Sequence, residues 1–359
     1  MPKIIYDNIF TTKSIQTICD DYARVVIVTD SNVGPLYALK LNDFLSAANI
    51  TVDVIEIAAG EAQKNRETKA YIEDCMFALG CGRDCLLIGL GGGVITDISG
   101  FVAATYYRGV DIVYIPTTLM AMVDAAIGGK TAVNCCYGKN LIGAFSDPIA
   151  IIIDIKLLQT LSRQHFNEGC AEIIKHAIIK DVVYFDYLLS NIMELSRNEQ
   201  QLKDVIQRSC DIKNYFVSSD KYDKDRRQIL NFGHTIAHAV EVCSDFRISH
   251  GMAVMIGIVV ESYISHLCGH LSFVEFNRIK DLILRLESNF STVDFPAIED
   301  IIAAMTYDKK NAAGLPRFIL LEDIAKLYYH NNSYLHTVEP HYIYKSLEYF
   351  ITEFQGMLC

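Results

Sequence analysis

Proline is scarce in this sequence, at seven residues, and long unbroken apolar stretches are missing altogether. With 51% hydrophobic and 21% charged residues, that scarcity leaves little room for disordered tails. The most apolar stretch, Met252 to Val260, is far too short to cross a bilayer, so no membrane partner is expected. The opening MPKIIYDNIF has no basic segment followed by an apolar one, and no secretory signal is visible. Basic residues are in the minority: 32 Lys and Arg against 43 Asp and Glu give a formal charge of -11. Nucleic-acid binding needs clustered cations and is not expected, whereas a local cationic pocket for a small anion stays open. Repeats and low-complexity segments are also absent. Cysteine is plentiful, at eleven, but CxxC and zinc-ribbon spacings are not found. Cys81 with Cys85 and the adjacent Cys135 and Cys136 come closest. An odd count of scattered thiols fits reduced cysteines in a cytoplasmic protein.

What is present divides in two. The chain of 359 residues is long for one hydrophobic core, so two domains are expected, 1–156 and 157–359. The first alternates β-branched runs with helical stretches. Arg24–Thr29, Thr51–Ile57, Asp84–Gly89, Asp111–Ile115 and Ile149–Ile153 read as strands, and Arg66–Leu79 as a helix. Strands separated by helices predict a parallel sheet of the Rossmann-like α/β class. The second domain is mostly helical by spacing, over Glu168–Lys180, Gln201–Ser219, Gln228–Cys243, His250–Leu267 and His341–Phe354. Only Arg317–Leu321 looks extended there. A cleft between two such domains is a usual place for a ligand.

Three segments carry chemistry. Gly89-Leu-Gly-Gly-Gly93-Val-Ile-Thr-Asp97 follows a strand and opens a helix, where glycines let backbone approach a pyrophosphate. Its glycine order is not GxGxxG, so a plain strand–helix turn competes as an explanation. Asp124 to Lys130 and Gly138-Lys139-Asn140 combine glycines, lysines and an asparagine in an otherwise apolar stretch, which suits an oxyanion or phosphate site. In the helical half, Asn231-Phe-Gly-His234-Thr-Ile-Ala-His238 puts two histidines on one helix face, and His250 opens the next helix. Glu172-Ile-Ile-Lys175 places a carboxylate and an amine one turn apart. Such groups can form an open, three-ligand divalent metal site. Spacing favours His234 and His238 as a pair but does not choose the three ligands.

Longer blocks narrow the field. GGGVITDISGFVAATYYRG from Gly91, IPTTLMAMVDAAIGGK from Ile115, GKNLIG from Gly138, AEIIK from Ala171, LNFGHTIAHAVE from Leu230 and SHGMAVMIG from Ser249 resemble the dehydroquinate synthase family of sugar-phosphate cyclases. The resemblance runs from about Asp30 to Lys310, and Lys213 with Arg227 favours the dehydroquinate branch. It implies closure of 3-deoxy-D-arabino-heptulosonate 7-phosphate to 3-dehydroquinate with release of phosphate, a shikimate-pathway step. It also implies transient oxidation by NAD, a divalent metal (zinc, or else cobalt) and a homodimer.

Position by position, the resemblance implies Glu172, His234 and His250 as metal ligands. It makes His238 a phosphate contact instead, alongside Lys130, Asn140, Asn231 and one of Lys309 and Lys310. Arg108 would be lent by the neighbouring subunit. Lys213 and Arg227 would grip the substrate carboxylate, and Asp124 and Lys175 would flank the reacting hydroxyls. Asp30, Glu61, Lys64, Gly92, Gly93, Asp97, Thr117, Thr118 and Lys139 would contact NAD. Met252 and His165 depart from the family's usual acidic residues, so altered affinity rather than lost function is expected. A metal-dependent polyol dehydrogenase would release reduced nicotinamide and lack the carboxylate clamp. A cyclase for a substrate without a carboxylate would not need Lys213 and Arg227.

Overall fold

The computed structural model describes residues 2–287, 290, 294–307 and 315–355. The chain forms two compact units, Met1–Ser162 and Arg163–Cys359.

In the first unit, strands β1 (Lys3–Tyr6), β2 (Arg24–Asp30), β3 (Val52–Ile57), β4 (Cys85–Gly91), β5 (Asp111–Pro116) and β8 (Ala150–Ile153) build one sheet. Its order is β1-β8-β5-β4-β2-β3, and every pairing is parallel. Helices α1 (Lys13–Cys19), α2 (Leu39–Ser46), α3 (Arg66–Ala78) and α4 (Gly93–Thr105) make crossovers. All seven residues of β4 are buried, as a central strand covered on both faces requires. Chain order reverses between β2 and β4, which makes their carboxyl ends the sheet's switch point. Some strands of this unit have no counterpart in the sequence expectation. β1 is a four-residue edge strand, and β6 (Lys130–Cys135) pairs antiparallel with β7 (Gly138–Phe145) in a separate hairpin.

The second unit is helical: α5 (Arg163–Lys180), α6 (Val182–Asn191), α7 (Glu199–Ser219), α8 (His234–Cys243), α9 (His250–Leu267), α10 (Phe273–Leu286), α11 (Ile298–Tyr307) and α12 (Pro340–Phe350). Side-chain caps from Asp181, Asn198 and Ser272 start α6, α7 and α10. Short strands β9 (Arg317–Ile319) to β12 (Leu335–Thr337), with β10 (Leu321–Asp323) and β11 (Lys326–Leu327), form two antiparallel pairs. The helix expected over Gln228–Cys243 is interrupted. Residues Arg226–Asn231 form a tight 3-10 turn, and Gly233, at φ 82°, turns the chain before α8 begins. By length and composition α9 is apolar enough to cross a membrane, yet 72% of it is buried within the fold, as in a core helix. No disulfide joins the described cysteines.

Candidate active site

In the helical unit, α5, α8 and α9 each contribute one side chain to a tight group. Glu172, His234 and His250 offer ligand atoms that all lie within 4.8 Å of one another. Glu172 is fully buried on α5, and Lys175, one turn on, ion-pairs with its Oε2. The Nε2 atoms of His234 and His250 stand 3.5 and 3.7 Å from its Oε1. Neither Glu172 oxygen accepts a well-formed hydrogen bond among the described residues.

The far sides of the two rings explain this arrangement. His234 Nδ1 lies 3.1 Å from the Phe232 carbonyl, which can only accept, so that nitrogen carries the proton. His250 Nδ1 faces the Glu241 carboxylate at 3.2 Å. His234 therefore turns its Nε2 lone pair toward the Glu172 carboxylate, and His250 Nε2 faces the same oxygen. A buried carboxylate and two imidazoles that converge in this way form a donor set that fits a divalent metal. Glu241 holds the far side of the His250 ring, and residue spacing in the sequence gives no sign of that contact.

Charge coupling follows the same geometry. Burial alone would raise the Glu172 carboxyl, but Lys175 and the two imidazoles outweigh it and hold it well below its usual value. Burial and the Lys175 ammonium hold His234 below its ordinary value. Burial also opposes charge on His250, yet Glu172 and Glu241 outweigh it and push this imidazole up to about 10.

The ring of His238 lies 5.4 Å from that of His234 and 6.4 Å from that of His250, beside the compact group. Asn231 closes the 3-10 turn just before α8. Lys213 on α7 and Arg227 in that turn are both buried cations. The Arg227 guanidinium donates to the Lys221 carbonyl at 2.7 Å, which fixes its direction. Lys309 and Lys310 lie outside the described residues. His165 is exposed in the first turn of α5, and Met252 is half-buried in the first turn of α9.

The α/β unit gathers its expected residues at the carboxyl ends of the strands. Asp30 ends β2, Gly92 and Gly93 lead from β4 into α4, and Thr117 and Thr118 follow β5. A Cβ on Gly92 would stand 3.0 Å from the Thr118 methyl, so glycine keeps this turn tight. Lys64 is buried, ion-paired to Asp97, and donates to Asn140 Oδ1 at 2.6 Å. Asn134, a residue that sequence reasoning missed, joins these groups. Its side-chain amide donates to Glu61 Oε1 at 2.8 Å, its Oδ1 accepts from the Asn140 amide at 2.9 Å, and its own amide donates to the Lys64 carbonyl at 2.7 Å. Its place in the hairpin between Lys130 and Lys139 was the available signal. Asp124 lies in a short helical turn after β5, and Lys130 is exposed at the start of β6. Arg108 is exposed within three successive positive-φ residues, Tyr107 (49°), Arg108 (71°) and Gly109 (126°).

Known proteins match the chain along its length. Residues 54–168 match the N-terminal domain of 3-dehydroquinate synthase, and residues 169–311 match its C-terminal domain. The chain belongs to the 3-dehydroquinate synthase family. The 3-dehydroquinate synthase of Thermoanaerobacter pseudethanolicus is 44% identical over 306 residues, covering 85% of this chain and 86% of that one. That of Caldanaerobacter subterraneus is 40% identical over 309 residues, with 85% and 86% covered. In structure, the chain is similar to 2-epi-5-epi-valiolone synthase from Streptomyces hygroscopicus, solved with NAD+ and Zn2+ bound. The TM-score is 0.87 at 28% identity, over 97% of this chain and 96% of that one. Membership of the 3-dehydroquinate synthase family makes the protein a carbon–oxygen lyase that forms 3-dehydroquinate.

Proposed function

We propose that the protein performs this ring closure on 3-deoxy-D-arabino-heptulosonate 7-phosphate as a cytoplasmic homodimer, with NAD and a divalent ion, zinc or cobalt, as resident groups. The observation that carries the reading is the Glu172, His234 and His250 group, in which two Nε2 atoms converge on one buried carboxylate oxygen. When bound, NAD would accept and return a hydride, and the metal would act as a Lewis acid at the reacting hydroxyls.

The chain's own groups bind and orient. Lys213 and Arg227, both buried, suit a carboxylate, because a fixed guanidinium fork matches its geometry. His238 and Asn231 would meet the phosphate, as would Lys130 and Asn140 and one of Lys309 and Lys310. Lys175 would hold a proton at Nζ near the reacting hydroxyls, with Asp124 in the same role. Asp30, Glu61, Lys64, Gly92, Gly93, Asp97, Thr117, Thr118 and Lys139 would seat the dinucleotide. The substrate's own phosphate, still esterified, would take the proton as its C–O bond breaks, so the protein's main work is to hold one flexible ester in successive reactive geometries. Incubation with the seven-carbon phosphate and catalytic NAD should yield inorganic phosphate and dehydroquinate in equal amounts. Accumulation of free reduced nicotinamide instead would mark a dehydrogenase and overturn the reading.

A dimer that shares residues is supported by Arg108. Its left-handed backbone is costly for a non-glycine residue, and its side chain is exposed, as a residue serving a partner would need. Arg108→Ala and Lys175→Ala homodimers should each be nearly inactive. After subunit exchange half the dimers are mixed, and each mixed dimer holds one intact site. Activity should then recover to roughly a quarter of wild type. Demonstrated exchange without recovery would put Arg108 in its own subunit's chemistry or in none.

A further inference from the structure

Glu261 is fully buried on α9 and has no part in the chemistry described above. Its carboxylate accepts from the backbone amides of Gly233, Thr235 and Ile236 at 2.8, 3.0 and 3.3 Å. These amides sit at the open N-terminus of α8, where N–H groups have no partner inside their own helix. The N-cap residue, Gly233, has no side chain to offer them. An ordinary cap would come from Ser, Asp or Asn at that position. Here the acceptor comes from another helix, and burying a carboxylate is a costly way to finish a turn. Burial in fact pushes the Glu261 carboxyl up to about 8, against the three amides that favour its ionised form.

The cost coincides with a tie between two ligand-bearing helices. α8 begins with His234 and α9 begins with His250. Gly257, one turn before Glu261, lets the helices meet: a Cβ there would stand 1.8 Å from the Gly233 carbonyl oxygen. Positions 250, 257 and 261 lie about two and three turns along α9, so they share one face. That face starts with one metal-binding histidine and anchors the turn that aims the other.

We propose that Glu261 is a positioning residue for the metal centre: through the amides of Gly233, Thr235 and Ile236 its carboxylate fixes where α8 starts, and so where His234 points. The proposal rests on the Glu172, His234 and His250 reading. Zinc affinity of the purified full-length protein, measured by competition with a chromophoric chelator, tests it. Glu261→Gln should bind zinc about 10–100-fold more weakly, the usual effect of removing a group that orients a ligand, with NAD affinity unchanged. Should Glu261→Gln give no folded protein by circular dichroism, Glu261→Asp replaces it; it keeps the carboxyl group, falls one methylene short of the amides and should also weaken zinc. Either variant, folded, binding zinc within about threefold of wild type overturns the proposal. Val260→Ala loosens the same buried stretch of α9 without touching α8's amides and should leave zinc affinity intact. An equal loss there would make the effect general loosening and overturn the proposal. His234→Ala separates the two levels. Retained zinc binding in that variant defeats the ligand assignment and this proposal with it. Lost binding there, with wild-type binding in Glu261→Gln, defeats this proposal alone.

Discussion

Zinc-free Lys175→Ala is expected to unfold about 3 kcal/mol more easily than the zinc-free wild type. Lys175 and Glu172 are both buried and ion-paired. Removing one partner of such a pair leaves a charge that burial makes expensive, typically at a cost of about 3–5 kcal/mol. The low end applies because His250, whose imidazole is pushed up to about 10, can keep a proton beside Glu172. Since the fold holds Glu172 well below its ordinary value, its contribution is full above the unfolded carboxylate range. That contribution is lost as pH falls through the folded value, and the dependence should shrink in the variant. Added zinc should recover most of the stability, because a cation again faces the carboxylate. It should not restore turnover, because the Nζ proton is gone. Urea unfolding with and without zinc measures the first effect, and phosphate release measures the second. A zinc-free difference under about 1 kcal/mol would show that the pair is of no consequence to the fold.

Stripping the metal is expected to take turnover below detection, and zinc or cobalt is expected to restore it. Glu172, His234 and His250 come from three different helices, and as three ligands they would leave coordination positions open on a bound ion. An open site of this kind exchanges its ion with a strong chelator, and binding couples to local order. His250→Ala should lower metal content even when the protein is purified with zinc present. Because Glu241 then has no imidazole to orient, Glu241→Gln in that background should add little. Full activity in protein shown by elemental analysis to be metal-free would end the metal reading.

Much of the α/β unit was legible because its strands are buried on both faces and so read as unbroken apolar runs. The β6–β7 hairpin was not. Its glycines and lysines have the composition of a loop, and its pairing depends on partners that periodicity does not register. The break before α8 was equally hidden, since Asn231 to His238 keeps helical spacing straight through Gly233. That break matters, because it puts His234 on the first turn rather than in mid-helix. His234 and His238 were visible as a pair because one helix face carries both. That His250 rather than His238 joins the compact group is a tertiary fact, fixed by how α9 lies on α8. Asn134, Glu241 and Glu261 act through backbone or through other side chains across elements, so no spacing within one element announces them.

Thiol chemistry gives the β6–β7 hairpin a practical use. Burial pushes Cys19 and Cys170 up to about 12 and Cys85 up to about 11, so they stay protonated and poorly nucleophilic at neutral pH. Cys136, by contrast, is exposed at the hairpin tip, two residues from Asn134 and three from Lys139. Among the described cysteines, an alkylating dye added to the native protein would therefore react there first. Its labelling rate would follow the packing of the hairpin against Glu61 and Lys64, giving an optical report of hairpin order with no substrate present.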